Sequence, residues 1–300
     1  MGSHFVDQAV RLGHEVTVFD RFPDNMSRNL EHQRGKIRFV TGEFANPEIL
    51  SSVLEKQDIV YHFICATNPA ESWANPDIEI TENLISSIRL FELAVDNGVR
   101  KIVFPSSGGT VYGSQEDRIT EATVPRPFSP YGIAKLATEH FLNYFTIRSG
   151  LAADIYRIGN AYGPRQPVHR AQGVISVWMW EILHGREIQV YGDTETKRDY
   201  VHVEDIAFLL THSLKDPDSS GLYNLGTGVG MDIIGLLDLF RSTIDDLAGY
   251  TIHPRRSSDN LSIILDSSRL LSNFRDFRFQ KLADKIPETW EHFKQRFQKR

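Results

Sequence analysis

The sequence predicts a doubly wound parallel α/β sheet, with a smaller C-terminal substrate domain beside it. Three observations carry that reading. Short runs rich in Val, Ile and Phe alternate with longer helical stretches between residues 5 and 158. The run Asp58-Ile59-Val60-Tyr61-His62-Phe63-Ile64 is continuous rather than alternating in apolarity, as a strand covered on both faces requires. The spacing between successive runs leaves room for one helix each, which gives right-handed crossovers.

The elements follow in order. Phe5 to Leu12 reads as a helix closed by the turn Gly13-His14. Glu15–Asp20 is a strand ending in an acid, and Ile37–Gly42 is a second. Asn46 caps a helix over Pro47–Glu55, and Asp58–Ile64 is the buried strand. Glu79–Asn97 reads as one long helix closed by Gly98, and Lys101–Ser107 is the next strand. Ser129 is an N-cap and Pro130 suits the first helical position, so a helix starts there and ends near Gly150. Ala153–Ile158 is a further strand. Past Gly163-Pro164 the rhythm breaks into loops and isolated helices, Val174–Leu183 and Ile233–Leu247. This divides the chain into a dinucleotide-binding part, residues 1–165 with 200–229, and a substrate-binding part, residues 166–199 with 230–300.

One piece of the pattern is missing. A doubly wound nucleotide fold opens with a strand and a Gly-rich turn before its first helix. Here the first helix is reached at once, and only Gly2 could belong to such a turn. The expectation is a Rossmann-like sheet without its first strand, with unpaired backbone near its centre. Met1–His4 run smoothly into the helix and read as native sequence.

Composition narrows the function classes. With 41% hydrophobic and 24% charged residues the chain is an ordinary globular protein, and its net charge of -6 argues against a general nucleic-acid binder. A single cysteine, Cys65, excludes an intrachain disulfide and a thiolate metal site. His4, His14, His32 and the other histidines show no ligand spacing, so no metal is expected. No apolar run reaches membrane-spanning length and no signal-peptide pattern opens the chain. The expectation is a cytoplasmic protein with no membrane partner.

The candidate chemistry centres on Tyr131 and Lys135, which stand at i and i+4 on one helix face. A phenol titrates near pH 10, so use as a base at neutral pH needs a shift of about 3 units, or roughly 4 kcal/mol. A lysine ammonium one turn away and a cationic cofactor both push in that direction. Such a tyrosine could take a proton from a sugar hydroxyl as a hydride leaves its carbon. Alone, the pair is structural more often than catalytic. Asp20 could accept hydrogen bonds from both hydroxyls of an adenosine ribose, favouring NAD over NADP, or merely cap a turn. Ser106–Gly113 supplies hydroxyls beside backbone that a ligand can approach. Lys197–Val203 and Pro254–Asp259 carry arginines suited to phosphate oxygens.

Together these segments resemble the extended short-chain dehydrogenase/reductase family, in its NAD-dependent nucleotide-sugar epimerase/dehydratase branch. The resemblance rests on Glu15–Asp20, His62–Ala66, Asn83, Ser106–Gly113, Tyr131–Lys135, Arg157–Gln166, Tyr191–Asp205, Tyr223–Gly228 and Arg255–Asp259. It implies C4 epimerisation of a UDP-linked sugar by transient hydride removal to NAD, in a homodimer. Tyr131 would be the acid/base, Lys135 would hold the nicotinamide ribose, and Ser107 would bond the reacting hydroxyl. Gly2, Asp20, Glu43, Phe44, Phe63, Ile64, Cys65, Ala66, Asn83 and Ile158 would line the cofactor. Asn160, Arg198 and Arg256 would meet the diphosphate, Asp259 the nucleoside ribose, and Gln189 and Tyr191 the uracil. Thr67 and Val174 would bound the sugar.

The chain departs from the family pattern at named places. Glu43 stands where an aspartate is usual. The Ser106–Tyr112 loop carries an extra glycine, so Ser106, Ser107 and Thr110 compete for the hydroxyl role. The dehydratase and decarboxylase branches place an acid after that hydroxyl. Here Gly108, Gly109 and Thr110 follow, which disfavours elimination. A keto-sugar reductase and a catalytically silent binding protein are the alternatives.

Overall fold

Helix and strand signals resolve into elements that begin and end at identifiable side chains. In chain order these are α1 (Gly2–Arg11), β1 (Thr17–Asp20), β2 (Arg38–Thr41), α2 (Pro47–Leu54), β3 (Ile59–Tyr61), α3 (Glu71–Ala74), α4 (Pro76–Ile78), α5 (Ile85–Asp96), β4 (Lys101–Ser107), α6 (Gly108–Val111), α7 (Pro130–Ser149) and β5 (Ala152–Ile158). They continue with β6 (Asn160–Tyr162), α8 (Val174–Leu183), β7 (Ile188–Tyr191), β8 (Lys197–His202), α9 (Val203–Leu209), β9 (Gly221–Leu225), β10 (Gly230–Asp232), α10 (Ile233–Thr243), β11 (Tyr250–His253), α11 (Ser268–Leu271) and α12 (Leu282–Phe297). This computed structural model describes residues 1–21, 28–115, 118–168, 173–192, 196–245, 247–254 and 262–297. The chain forms two units, one of Met1–Ser107, Pro127–Arg157 and Ile206–Tyr223, the other of Gly108–Arg126, Ile158–Asp205 and Asn224–Arg300.

In the first unit the parallel sheet comes in two pieces, β1-β2 and β3-β4-β5-β9. β1 and β2 pair in parallel from Thr17 opposite Arg38 to Asp20 opposite Thr41, and β3 pairs with β4 from Ile59 opposite Lys101. Among the described residues β1 has β2 as its single neighbour and β3 has β4. Accordingly β1 and β3 are half-buried along their length, whereas β4 is buried as far as Ser106. Leu50 and Leu54 of α2, Phe91 of α5, and Leu142 and Phe145 of α7 pack with Ile102 and Phe104 into the core of this unit. α2 starts at Asn46, whose side chain accepts from the backbone N–H groups of Glu48 and Ile49, as the sequence indicates.

The expected continuous helix over Glu79–Asn97 is not what forms. Glu79–Leu84 is a π-helical turn, and the α-helix begins only at Ile85. A π turn inserts one residue and rotates the faces that follow it. The consequence inverts the usual amphipathic rule: Glu79 is 2% exposed, while Ile80 and Ile85 are 47% and 40% exposed.

The second unit holds the set β10-β8-β6, with β8 antiparallel to β10 and parallel to β6, and the parallel pair β11-β7. Trp178 and Met179 of α8, Phe240 of α10 and Trp290 of α12 make its core. Asp199 on β8 is buried and ties three segments together. Its Oδ1 accepts from the Thr227 N–H at 2.8 Å, and its Oδ2 accepts from Gly228 at 3.0 Å and Leu265 at 3.1 Å. At Gly113 the backbone φ is 68°, and a Cβ there would lie 2.2 Å from the Arg126 carbonyl oxygen, so only glycine fits that turn.

Candidate active site

The signals at the start of α7 act as read. The Ser129 hydroxyl accepts from the Gly132 N–H at 3.1 Å, Pro130 occupies the first turn, and Gly150 closes the helix at φ 72°. That places Tyr131 and Lys135 one turn apart. The Lys135 ammonium donates to the Pro105 carbonyl at 3.2 Å. It lies 4.6 Å from the centre of the Phe104 ring and 5.7 Å from that of Tyr131. Ile64, Cys65, Glu79, Asn83 and Lys135 line one cavity in the first unit.

The Tyr131 phenol differs from the expectation. Burial pushes its titration well above the usual phenol range, and the neighbouring Cys65 thiol and Glu79 carboxyl push the same way. The sequence expectation is a lowered value caused by Lys135 together with a cationic cofactor. Burial outweighs that effect in the protein alone, and the ammonium points at the Pro105 carbonyl.

Asn83 organises the loop after β3. Its Oδ1 accepts from the Ala66 N–H at 2.8 Å, and its Nδ2 donates to Thr67 at 3.2 Å and Glu79 at 2.9 Å. Among the three candidate hydroxyls, Ser106 is committed. It is buried and donates to Glu139, which also holds Arg157 in an ion pair at 2.6 Å. Ser107 ends β4 without such a partner among the described residues. The Thr110 hydroxyl is buried and makes no hydrogen bond among them.

Of the remaining expected cofactor residues in this unit, Asp20 ends β1 and accepts from the Arg21 N–H at 2.7 Å. Gly2 opens α1 against the Phe63 ring. Glu43 follows β2, and the neighbouring Phe44 ring lies 5.2 Å from that of His62. Lys135 keeps two of its three N–H donors uncommitted among the described residues. Together with the Asp20 carboxylate, these donors suit the ribose hydroxyls of a dinucleotide, so the residues present fit NAD.

The second unit holds the other expected residues. Ile158 ends β5 and Val174 opens α8. Asn160 donates to the Asp199 carbonyl at 3.4 Å, and Arg198 donates to that of Lys197 at 3.3 Å. Gln189 and Tyr191 share a face of β7 with a residue the sequence reading missed. The His253 ring of β11 bonds the Gln189 Oε1 at 2.6 Å and stacks on Tyr191 at 4.8 Å. Arg256 and Asp259 lie outside the described residues.

His62 was also missed. Its Nε2 bonds the Ser87 hydroxyl at 2.8 Å, and that hydroxyl donates to the Asn83 carbonyl. Burial, with Lys135 adding to it, lowers its pKa to about 3. Between about pH 3 and 6.5 the unfolded chain therefore binds a proton here that the folded chain does not. The stability from neutral His62 is complete above pH 6.5 and is lost as pH falls toward 3. His62→Gln keeps a donor for Ser87, and it should flatten the rise of stability over that window by up to one proton, roughly 1.4 kcal/mol per pH unit. Urea midpoints measured from pH 4 to 7 on both proteins read the difference. Parallel curves would exclude His62 as the titrating group.

A parallel doubly wound sheet with a Tyr–Lys pair beside its strand ends defines a nicotinamide-dinucleotide enzyme class. The chain belongs to the NAD dependent epimerase/dehydratase family, whose model matches residues 1–226. It is 29% identical to a UDP-glucose 4-epimerase of Mycolicibacterium smegmatis, over 99% of this chain and 96% of the relative. The structure resembles that of the Thermotoga maritima UDP-glucose 4-epimerase with UDP-glucose, at TM-score 0.89 and 29% identity, covering 98% of this chain and 96% of that one. It also resembles the dTDP-glucose 4,6-dehydratase of Streptomyces venezuelae with NAD bound, at TM-score 0.89 and 25% identity, covering 98% and 94%. NAD is the family's cofactor. No described helix is long and apolar enough to cross a membrane.

Proposed function

We propose that this chain is a nucleotide-sugar 4-epimerase acting on a UDP-linked sugar of the glucose/galactose type. The observation that carries the reading is the pair on α7, with the Lys135 ammonium 5.7 Å from the centre of the Tyr131 ring and lining the same cavity as Ile64, Cys65 and Asn83. Tyr131 takes the proton of the C4 hydroxyl and later returns it. Lys135 binds the nicotinamide ribose and favours the phenolate as it forms. When bound, NAD supplies the chemistry that accepts and gives back the C4 hydride. Ser107 holds the reacting oxygen, a role Ser106 cannot share while it bonds Glu139. Gly108, Gly109 and Thr110 provide no carboxyl group for elimination, which favours epimerisation over dehydration.

Asp20 holds the adenosine ribose, Glu43 and Phe44 border the adenine, and Gly2, Phe63, Ile64, Cys65, Ala66, Asn83 and Ile158 line the dinucleotide. Gln189 and Tyr191 frame the uracil, while Thr67 and Val174 bound the sugar. A homodimer through α7 fits the exposure of Ile133, Phe141, Tyr144 and Ile147 along that helix.

Incubation with NAD and UDP-galactose tests the reading. UDP-glucose formed without net NADH supports it. Net NADH consumption with a 4-keto sugar nucleotide would make the protein a reductase, and tight UDP binding with neither reaction would make it a silent binding protein. Arg198→Ala should weaken UDP binding by about 1.5–3 kcal/mol, the range of a charge-assisted bond. Arg256→Ala should do the same, and the pair should be non-additive because both act on one diphosphate. Calorimetry with unchanged UDP affinity in both single variants would remove the clamp.

A further inference from the structure

Strand β7 alternates between core and surface: Ile188 and Val190 are fully buried, while Gln189 and Tyr191 lie on the opposite, exposed face. β11 runs parallel to it with Thr251 opposite Gln189 and His253 opposite Tyr191, so these four side chains share that face. Each of the two β11 residues reaches diagonally back along β7. The Thr251 hydroxyl donates to the Glu187 carboxylate at 3.2 Å, and the His253 Nε2 donates to the Gln189 Oε1 at 2.6 Å. The same imidazole lies against the Tyr191 ring, with centroids 4.8 Å apart and planes 20° from parallel. One ring therefore fixes two exposed side chains. The strands are already joined by their backbone ladder, which runs on to the Gly192 N–H and the His253 carbonyl at 3.2 Å. Holding a glutamine and a tyrosine in one rotamer at a surface costs side-chain entropy. The return comes when a ligand meets them already in place.

We propose that His253 is a positioning residue that sets base specificity, holding Gln189 and Tyr191 in the arrangement that receives a base with a carbonyl oxygen, as uracil has. The inference rests on the reading of Gln189 and Tyr191 as the uracil frame, and it names what sets that frame. With its Oε1 taken by the imidazole, the Gln189 amide offers a ligand its Nε2, which can only donate. That nitrogen reaches the Glu187 carbonyl at 3.5 Å, longer than an ordinary N–H···O bond, so a nearer acceptor on a ligand is preferred. A pyrimidine with a carbonyl oxygen at this point accepts the proton. One with an amino group, as cytosine has at C4, sets donor against donor and leaves both unsatisfied. Tyr191 is 36% exposed, and a base laid on that surface adds a planar layer to the His253–Tyr191 stack. Without His253 the amide can turn its oxygen outward and meet an amino group equally well. The preference for a carbonyl is then lost.

Calorimetry with UDP and with CDP tests this without cofactor, sugar or turnover. The parent should prefer UDP by about tenfold, the scale of one mispaired donor. His253→Phe keeps a ring against Tyr191 and loses the Nε2 donor. UDP should then bind more weakly, CDP should hold or tighten, and the ratio of the two affinities should fall to within about threefold of unity. His253→Gln, which supplies a donor again, should return most of the preference. A folded Phe variant that keeps the parental ratio overturns the proposal, and so does a parent with no preference for UDP. If His253→Phe melts far below the parent, His253→Ala must show the same fall in the ratio. Tyr191→Ala separates this inference from the reading beneath it. Unchanged UDP affinity in that variant would remove the uracil frame and His253 with it. Weakened UDP binding there, beside an unchanged ratio in the His253 variants, would overturn the role of His253 alone. The epimerase reading is decided by the UDP-galactose assay, which shares no measurement with these.

Discussion

Tyr131→Phe should fold and bind UDP as the parent does, yet turn over a UDP-sugar about 10²–10⁴-fold more slowly. The variant loses one oxygen atom and keeps the ring that fills this half-buried position. It keeps the contacts that start α7, since the backbone N–H of Tyr131 bonds Ser72 and Ser129 caps the helix, and it loses only the hydroxyl beside Cys65. The loss therefore falls on proton transfer and should appear in kcat with little change in the UDP dissociation constant. Because burial raises the phenol above its usual range, the parent should also need loaded NAD before its base limb reaches neutral pH. Stopped turnover assays and calorimetry on one preparation measure both quantities. Near-parental turnover in the Phe variant would remove Tyr131 from the chemistry.

The reach of the sequence reading follows from the range of each signal. The start and end of α7 were legible because caps act within one turn: Ser129, Pro130 and Gly150 each do their work on adjacent backbone. The Asn46 cap and the strand before the Ser107 loop were legible for the same reason. The inward turn of Glu79 was not, since an apolar pattern cannot show where a helix takes on an extra residue. Helix α12 escaped notice because Pro287 lies inside it, and proline reads as a breaker. Its stripe of Ile286, Trp290 and Phe293 at helical spacing was nonetheless present. The pairing of Gln189 and Tyr191 with His253 joins segments far apart in sequence, and no local signal announces such a partner. The commitment of Ser106 to Glu139 and Arg157 is equally non-local. It took the fold to remove one of three competing hydroxyls.

The second large effect concerns stability. Lys101, expected only as the first residue of a strand, is fully buried, and its ammonium has a partner for each of its three protons. It donates to Asp154 Oδ2 at 2.8 Å, to the Asp216 carbonyl at 2.6 Å and to Ser219 at 3.3 Å. Asp154 is 1% exposed, and its charge also helps hold Tyr61 and Tyr156 in their neutral forms. Lys101→Met keeps much of the side-chain volume but strands a carboxylate in the core. Breaking a buried pair in this way typically costs about 3–5 kcal/mol, because the remaining charge loses its compensation. Replacing both partners removes that penalty, so Lys101→Met with Asp154→Leu should recover most of the loss, even though the Asp216 carbonyl and the Ser219 hydroxyl lose the ammonium, the carbonyl still accepting from Ser219. Urea unfolding of the three proteins, followed by tryptophan fluorescence and by circular dichroism, measures the cycle. If the single variant costs less than about 1 kcal/mol, or the double variant is no better than the single, uncompensated charge is not what makes this position intolerant.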